Sequence, residues 1–196
     1  MSGTNEDGIE ILAVETLSDA KYKLRKIRFA HRRGDGERTV VEREVYELPP
    51  SAAVLPFDRK RRTVLLARQL RIPAVCNGDG PFLIEACAGH VEAGDSPSET
   101  ARREAEEELG YRLGELTPFA ALYMSPGLIT EKLHLFLADY APEMKIGAGG
   151  GLAAEGEDIR VLELGLDDAW RLVEEGAIAD AKTVLLLQHL RLVEGG

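Results

Sequence analysis

The sequence is poor in several things, and each shortage narrows what the protein can be. Only two cysteines, Cys76 and Cys87, occur in 196 residues. That is too few for a disulfide scaffold, and neither has a histidine or cysteine partner at zinc-finger spacing. Two free thiols fit a reducing compartment. Nowhere do eighteen apolar residues run together, so no membrane-crossing helix is expected. Met1 to Gly8 is polar and acidic, unlike a basic-then-apolar leader, which points to a soluble, cytoplasmic protein. Positive charge is also short: 24 Lys and Arg stand against 34 Asp and Glu, a net charge of -10. A basic footprint for duplex nucleic acid or an anionic membrane is therefore missing. An anionic ligand must meet local cations or a bound metal. With 9 prolines, 20 glycines, 44% apolar and 30% charged residues, the chain sits in the globular range, away from disorder.

The length fits one main domain with a small appendage. Apolar Ile9 to Val14 reads as an opening strand. Alternation from Tyr22 to Leu48 around Gly34-Asp35-Gly36 reads as a hairpin. A second hairpin is expected from Ala52–Phe57 and Thr63–Leu70 around the basic tip Asp58 to Arg62. Residues 82–91 read as one buried strand leading into a turn at Glu92 to Asp95. Strands are expected at Leu116–Met124, Lys132–Tyr140 and Ile159–Leu164, helices at Asp167–Glu175 and Asp180–Val193, and a flexible loop at Gly147–Gly151. Strands with interspersed helices favour an α/β or α+β sandwich around one sheet.

The most informative segment is Gly89 to Tyr111. Ser96, Pro97 and Glu99 form the start signal of a helix, with N-cap, first-turn proline and capping-box partner, and Gly110 is its stop. At about 100° per residue, Ala101, Ala105 and Leu109 share one stripe, while Glu104, Glu107 and Glu108 gather on another face. Such a face can be merely solvated, balanced by pairs such as Arg103 with Glu107, because like charges at i,i+4 cost only about 0.2–0.5 kcal/mol in water.

The whole pattern, Gly89, Asp95, Arg103, Glu104, Ala105, Glu107, Glu108, Gly110 and Tyr111, resembles the Nudix box, G-x5-E-x7-R-E-U-x-E-E-x-G-U. Asp95 stands where the family has its first glutamate, and Ala105 and Tyr111 are mild choices at the apolar positions. The resemblance implies the Nudix fold, an α+β (α/β/α) sandwich with a mixed sheet between helices. It also implies a divalent cation, Mg2+ with Mn2+ as a substitute, held against a diphosphate. Glu104 and Glu108 would be principal ligands, with the carbonyl of Ala88 beside them and Glu107 as a further or water-bridged ligand. Arg103 would orient a glutamate.

Downstream, Tyr123-Met-Ser-Pro-Gly127 places Pro126 sixteen residues beyond Gly110, a spacing similar to the ADP-ribose and nucleotide-sugar pyrophosphatase branch. Within it the chain resembles the GDP-mannose pyrophosphatase group over residues 17–192. The likeness runs through Leu17-Ser-Asp19, Arg43-Glu-Val-Tyr46, Arg68-Gln-Leu-Arg71, Cys76-Asn-Gly78, Glu85-Ala-Cys-Ala-Gly89, Leu122-Tyr-Met-Ser-Pro-Gly127 and Lys182-Thr-Val-Leu-Leu-Leu187. That implies hydrolysis of a nucleoside diphosphate sugar, GDP-mannose to GMP and mannose 1-phosphate. ADP-ribose is the rival substrate, and a nucleotide-sensing module without catalysis is a remoter reading.

The resemblance further implies a homodimer formed through the first 50 residues, with residues 51–196 as the hydrolase domain. Glu157 would be the water-activating base and a metal neighbour, with Glu155 in reserve. Glu131 would approach a metal. Tyr22 would stack on the base, Arg43 would face it, and Arg71 would contact phosphate or ribose. Gly89, His90, Ser125, Pro126 and Gly127 would line the substrate. Plainer roles stay open: Tyr22 as a strand residue, Arg43 paired with Glu42 or Glu44, Arg71 in a rim salt bridge, His90 as a turn histidine.

Overall fold

The computed structural model describes residues 8–195. They divide into two compact units, one comprising residues up to Pro49 with Ser125–Glu131, the other Pro50–Met124 and Lys132 onward.

The first unit is an antiparallel sheet in the order β1 (Glu10–Asp19), β2 (Lys23–Arg32), β3 (Arg38–Glu47). The expected hairpin is closed by the Gly36 N–H on the Arg33 carbonyl at 2.9 Å and the Glu37 N–H on Asp35 at 3.0 Å. β1 outruns the expected Ile9–Val14 because pairing with β2 carries it past two irregularities in register. Among its described residues Ala30 is buried, but the sheet contributes to neither hydrophobic cluster, and Leu12, Val14, Leu17 and Val40 stay exposed. Residues 125–131 pair with the end of β3, the Tyr46 N–H reaching the Leu128 carbonyl at 2.8 Å.

The second unit holds seven strands: β4 (Ser51–Asp58), β5 (Thr63–Leu70), β6 (Phe82–Glu85), β7 (Cys87–His90), β8 (Leu116–Tyr123), β9 (Lys132–Asp139) and β10 (Arg160–Gly165). The path is β10-β5-β4-β9-β8, with β6 on β5 and β7 on β4. In this sheet β4 and β9 pair in parallel, and the other named pairings are antiparallel. Helices are α1 (Ile72–Cys76), α2 (Pro97–Glu104), α3 (Leu166–Glu174) and α4 (Ala181–Val193). All eight residues of β4 are buried because both faces are covered. Ala52 and Val54 pack toward Ala101, Ala105 and Leu109, whereas Ala53, Leu55 and Phe57 pack toward Leu166, Leu186, Leu187 and Leu190. A mixed sheet between helical layers is the expected sandwich.

Two expectations change in a way that builds the site. The β4–β5 hairpin pairs only at Phe57–Val64 and Asp58–Thr63, and then the strands separate. Residues 82–91 are not one strand: β6 follows β5, the chain breaks at Ala86, and β7 follows β4. The crossing segment thus bridges the opening between them. Among the described residues, no helix is long and apolar enough to cross a membrane.

Candidate active site

The box helix begins as its sequence dictates. The Ser96 hydroxyl accepts from the Glu99 N–H, and the Glu99 carboxylate answers the Ser96 N–H at 2.8 Å. After Glu104 the helix widens into a π turn, Ala105–Leu109, which the sequence pattern does not reveal. Ala101, Ala105 and Leu109 are fully buried, as their spacing predicts.

The glutamates are placed differently from a solvated face. Glu104 and Glu108 retain only 9% and 2% exposure. Burial, above all, pushes both carboxyls up to about 7; Glu107 and Glu157 add like charge at Glu104, and Glu104 and Glu157 add it at Glu108. Glu108 accepts the Ala88 N–H at 3.3 Å and a hydrogen bond from the Cys87 thiol. Among the described residues no cation pairs with it. Glu104 lies over Gly89 so closely that a Cβ there would stand 1.9 Å from its Oε1. Arg103 grips Glu104 at 3.0 Å and Glu107 at 3.1 Å, with Glu92 at 3.7 Å. Glu107 is thereby turned toward Arg103 while still adding like charge at Glu104, and Glu157 acts on both members of the buried pair.

Glu157 is carried by the glycine-rich segment, which is not the free loop expected. The Gly150 and Gly151 N–H groups donate to the Glu108 and Glu107 carbonyls at 2.9 and 3.1 Å, filling acceptors that a helix end leaves open. Glu157 accepts the Leu152 N–H at 2.9 Å. Glu155 sits in the 3-10 turn Ala153–Glu155, and its side chain lies outside the described structure.

The segment β6–β7 has a support that no sequence motif marks. Arg71 holds Glu85 with two hydrogen bonds at 2.6 and 2.9 Å, and Lys182 reaches the same carboxylate at 2.5 Å. These cations keep Glu85 below its usual range against its burial. Thr183, held by the α4 cap Asp180, accepts the Ala86 N–H at 2.7 Å. The spacing of Arg71, Glu85 and Lys182 gives no local signal, because three elements bring them together. His90 in β7 meets the Ser51 hydroxyl at 2.8 Å.

The structure thus gathers Ala88, Gly89, Arg103, Glu104, Glu107, Glu108 and Glu157 in the second unit, where Arg71 and His90 also lie. Tyr22, Arg43, Ser125, Pro126, Gly127 and Glu131 belong to the first. There Tyr22 packs edge-on against Tyr46 at 6.0 Å, and Arg43 donates to the Glu42 carbonyl at 2.8 Å. Ser125 accepts the Leu128 and Ile129 N–H groups in a turn.

Do these residues fit a divalent cation? Two desolvated carboxylates without a balancing cation on Glu108, next to a backbone segment pinned by Cys87 and Ala88, form a hard oxygen donor set. Among the described residues no three acidic, His or Cys side chains enclose an ion alone. Magnesium binds in that manner, through one or two carboxylates completed by waters and substrate phosphates. The donor set fits.

Burial of the pair predicts a pH effect on the metal-free protein. An unfolded glutamate loses its proton near 4.5, while the folded pair keeps it up to about 7. Folded stability therefore falls as pH rises between those values, and the loss is complete above the upper one. One such group accounts for about 3 kcal/mol, and the coupled pair for less than twice that. In chelator, calorimetry is expected to show melting several degrees lower at pH 8 than at pH 5. The Glu104→Gln/Glu108→Gln variant is expected to lose most of that slope; an unchanged slope would refute the burial argument.

Comparison with known proteins agrees with this geometry. Residues 47–187 match the model of the NUDIX domain, and residues 8–46 match that of the GDP-mannose pyrophosphatase NudK N-terminal domain. A protein of Cronobacter sakazakii named GDP-mannose pyrophosphatase is 44% identical over 186 residues, covering 94% of this chain and 95% of that one. Its namesake in Escherichia coli K12 is 42% identical over 184 residues, covering 93% and 95%. A solved structure titled as an ADP compounds hydrolase superposes with a TM-score of 0.72 at 22% identity, covering 96% of this chain and 95% of that one, a likeness of fold. With the box helix, its buried carboxylates and a family match across most of its length, the chain belongs to the Nudix family.

Proposed function

We propose that the protein hydrolyses the diphosphate of a nucleoside diphosphate sugar, GDP-mannose to GMP and mannose 1-phosphate. The observation behind this reading is the buried Glu104–Glu108 pair with the charge of Glu157 acting on it, in a chain whose relatives, matched over 95% of their length at 42–44% identity, carry the name GDP-mannose pyrophosphatase. Glu104, Glu108 and the Ala88 carbonyl would hold Mg2+ or Mn2+, which when bound neutralises the diphosphate and polarises its oxygens. Bare carboxylates would repel that substrate by roughly 4 kcal/mol per contact at 4 Å and an effective dielectric near 20. Arg103 fixes Glu104 and leaves Glu107 at its edge. Glu157 takes a proton from water as the water oxygen bonds to phosphorus and the bridging P–O bond breaks. One phosphate leaves with the nucleoside and the other with the sugar.

The first 50 residues form the dimerisation region in this reading. Support comes from the exposed apolar Leu12, Val14, Leu17 and Val40 on a sheet that contributes to neither hydrophobic cluster. Tyr22 in the β1–β2 turn and Arg43 in β3 belong to that unit, and with Ser125–Gly127 they are assigned to nucleoside recognition. Light scattering is expected to give a dimer for the wild type and a monomer for Val14→Glu; a dimeric Val14→Glu protein would move the interface elsewhere. Two free thiols, one exposed and one buried, agree with a cytoplasmic location.

The test of substrate is product analysis on a panel of nucleotide sugars and ADP-ribose at equal Mg2+. GDP-mannose is expected to have the highest kcat/KM. Faster turnover of ADP-ribose would replace the substrate while keeping the chemistry, and turnover of none would overturn the proposal.

A further inference from the structure

The segment Gly149–Gly151 makes contacts that a connecting loop has no need of. Gly149 has φ +69, and a Cβ on it would stand 2.4 Å from the Glu108 carbonyl oxygen and 2.7 Å from the Leu109 carbonyl carbon. Those are backbone atoms of the box helix and cannot swing aside. Gly151 has φ +76, and its missing Cβ leaves space that Glu157 fills, with Oε2 2.4 Å and Cβ 2.8 Å from that point. Between them, the Gly150 and Gly151 N–H groups bond to the carbonyls of Glu108 and Glu107. The Gly150 carbonyl accepts the Ile159 N–H at 3.1 Å, tying the far side to the approach to β10. Leu152 and Glu157 then close the loop in both directions, the Leu152 N–H on the Glu157 carboxylate at 2.9 Å and the Glu157 N–H on the Leu152 carbonyl at 3.3 Å.

Of the two residues whose carbonyls anchor the segment, Glu108 is thus also an acid of the buried pair and Glu107 lies at its edge. From this geometry we propose that Gly149–Gly151 is a backbone clamp that sets Glu157 against Glu104 and Glu108, making Gly149 and Gly151 positioning residues for hydrolysis. The proposal rests on Glu157 acting as the proton acceptor. A side chain at 149 lifts the segment off the helix end, and one at 151 expels Glu157 from its seat while leaving the helix untouched. Misplacing a reacting group by about 1 Å costs on the order of 10²-fold in rate.

Two measurements test the clamp. In amide hydrogen exchange on the wild-type protein, Gly150 and Gly151 are expected to be protected, and Gly149→Ala to lose that protection. Gly147→Ala, where the nearest atom to a new Cβ is 4.0 Å away, is expected to retain it. Unprotected Gly150 and Gly151 amides in the wild type would overturn the clamp without any variant having to fold. In kinetics, Gly151→Ala is expected to lower kcat about 10²-fold with KM within threefold, and to add no further loss when combined with Glu157→Gln. Losses that multiply would show that Gly151 acts independently of Glu157 and would sink the positioning role while leaving the hydrolase reading intact. Near-normal turnover of Glu157→Gln alone would remove the base assignment and the proposal resting on it.

Discussion

Glu108→Gln is expected to lower kcat on the order of 10³-fold, because it removes a charge that the site needs when metal and diphosphate are bound. The same substitution is expected to raise the melting temperature of the metal-free protein at pH 8, where the folded Glu108 is ionised. Glu108 is 2% exposed, and its ionised form is held by one N–H and a thiol, with no cation paired to it among the described residues. Glutamine keeps an oxygen for those donors and discards the buried charge, so about 1 kcal/mol or more is regained. For a chain of this size that is roughly 2–4 °C. A site loaded with buried charge that gains stability when disarmed is the usual trade between activity and stability. An acidic residue on a merely solvated face would show neither change. Near-normal turnover in Glu108→Gln would remove it from the site, and a melting temperature lowered by several degrees would refute the desolvation argument.

Glu157→Gln is the second large effect. A positioned general base contributes roughly 10² to 10⁴ in rate, so kcat is expected to fall by that amount at saturating Mg2+ while KM changes little. Glutamine can still accept the Leu152 N–H through its amide oxygen, so the loop keeps its closure and the loss reports on chemistry. Single-turnover kinetics separates this from slow product release. A loss smaller than tenfold would shift the role to Glu155 or Glu107.

What could be read in the sequence was local. Ser96, Glu99 and Gly110 act on backbone groups a few residues away, so the bounds of the box helix follow from residue types alone. The stripe of Ala101, Ala105 and Leu109 needs only helical periodicity and a sheet to face. The acidic residues were visible as a cluster, but their burial was not, since Cys87, Ala88 and Gly89 come to them from β7. That strand could not be separated from β6 in an unbroken apolar run: Ala86 marks the crossing only because Thr183, nearly a hundred residues later, accepts its N–H. The glycine-rich segment reads as flexible for the same reason. Positive φ is compatible with a free loop or with a tight seat, and the Glu108 carbonyl decides between them. Arg71 was legible as a cation near the site, while its partner Glu85 follows from the path of β5 and β6.

Anomalous diffraction from crystals grown with Mn2+ would locate the metal. A peak bonded at about 2.0–2.3 Å to carboxylate oxygens of both Glu104 and Glu108 is expected, absent in crystals of Glu108→Gln. Manganese bound elsewhere, or bound equally well in the variant, would contradict the assignment of Glu104 and Glu108 as ligands.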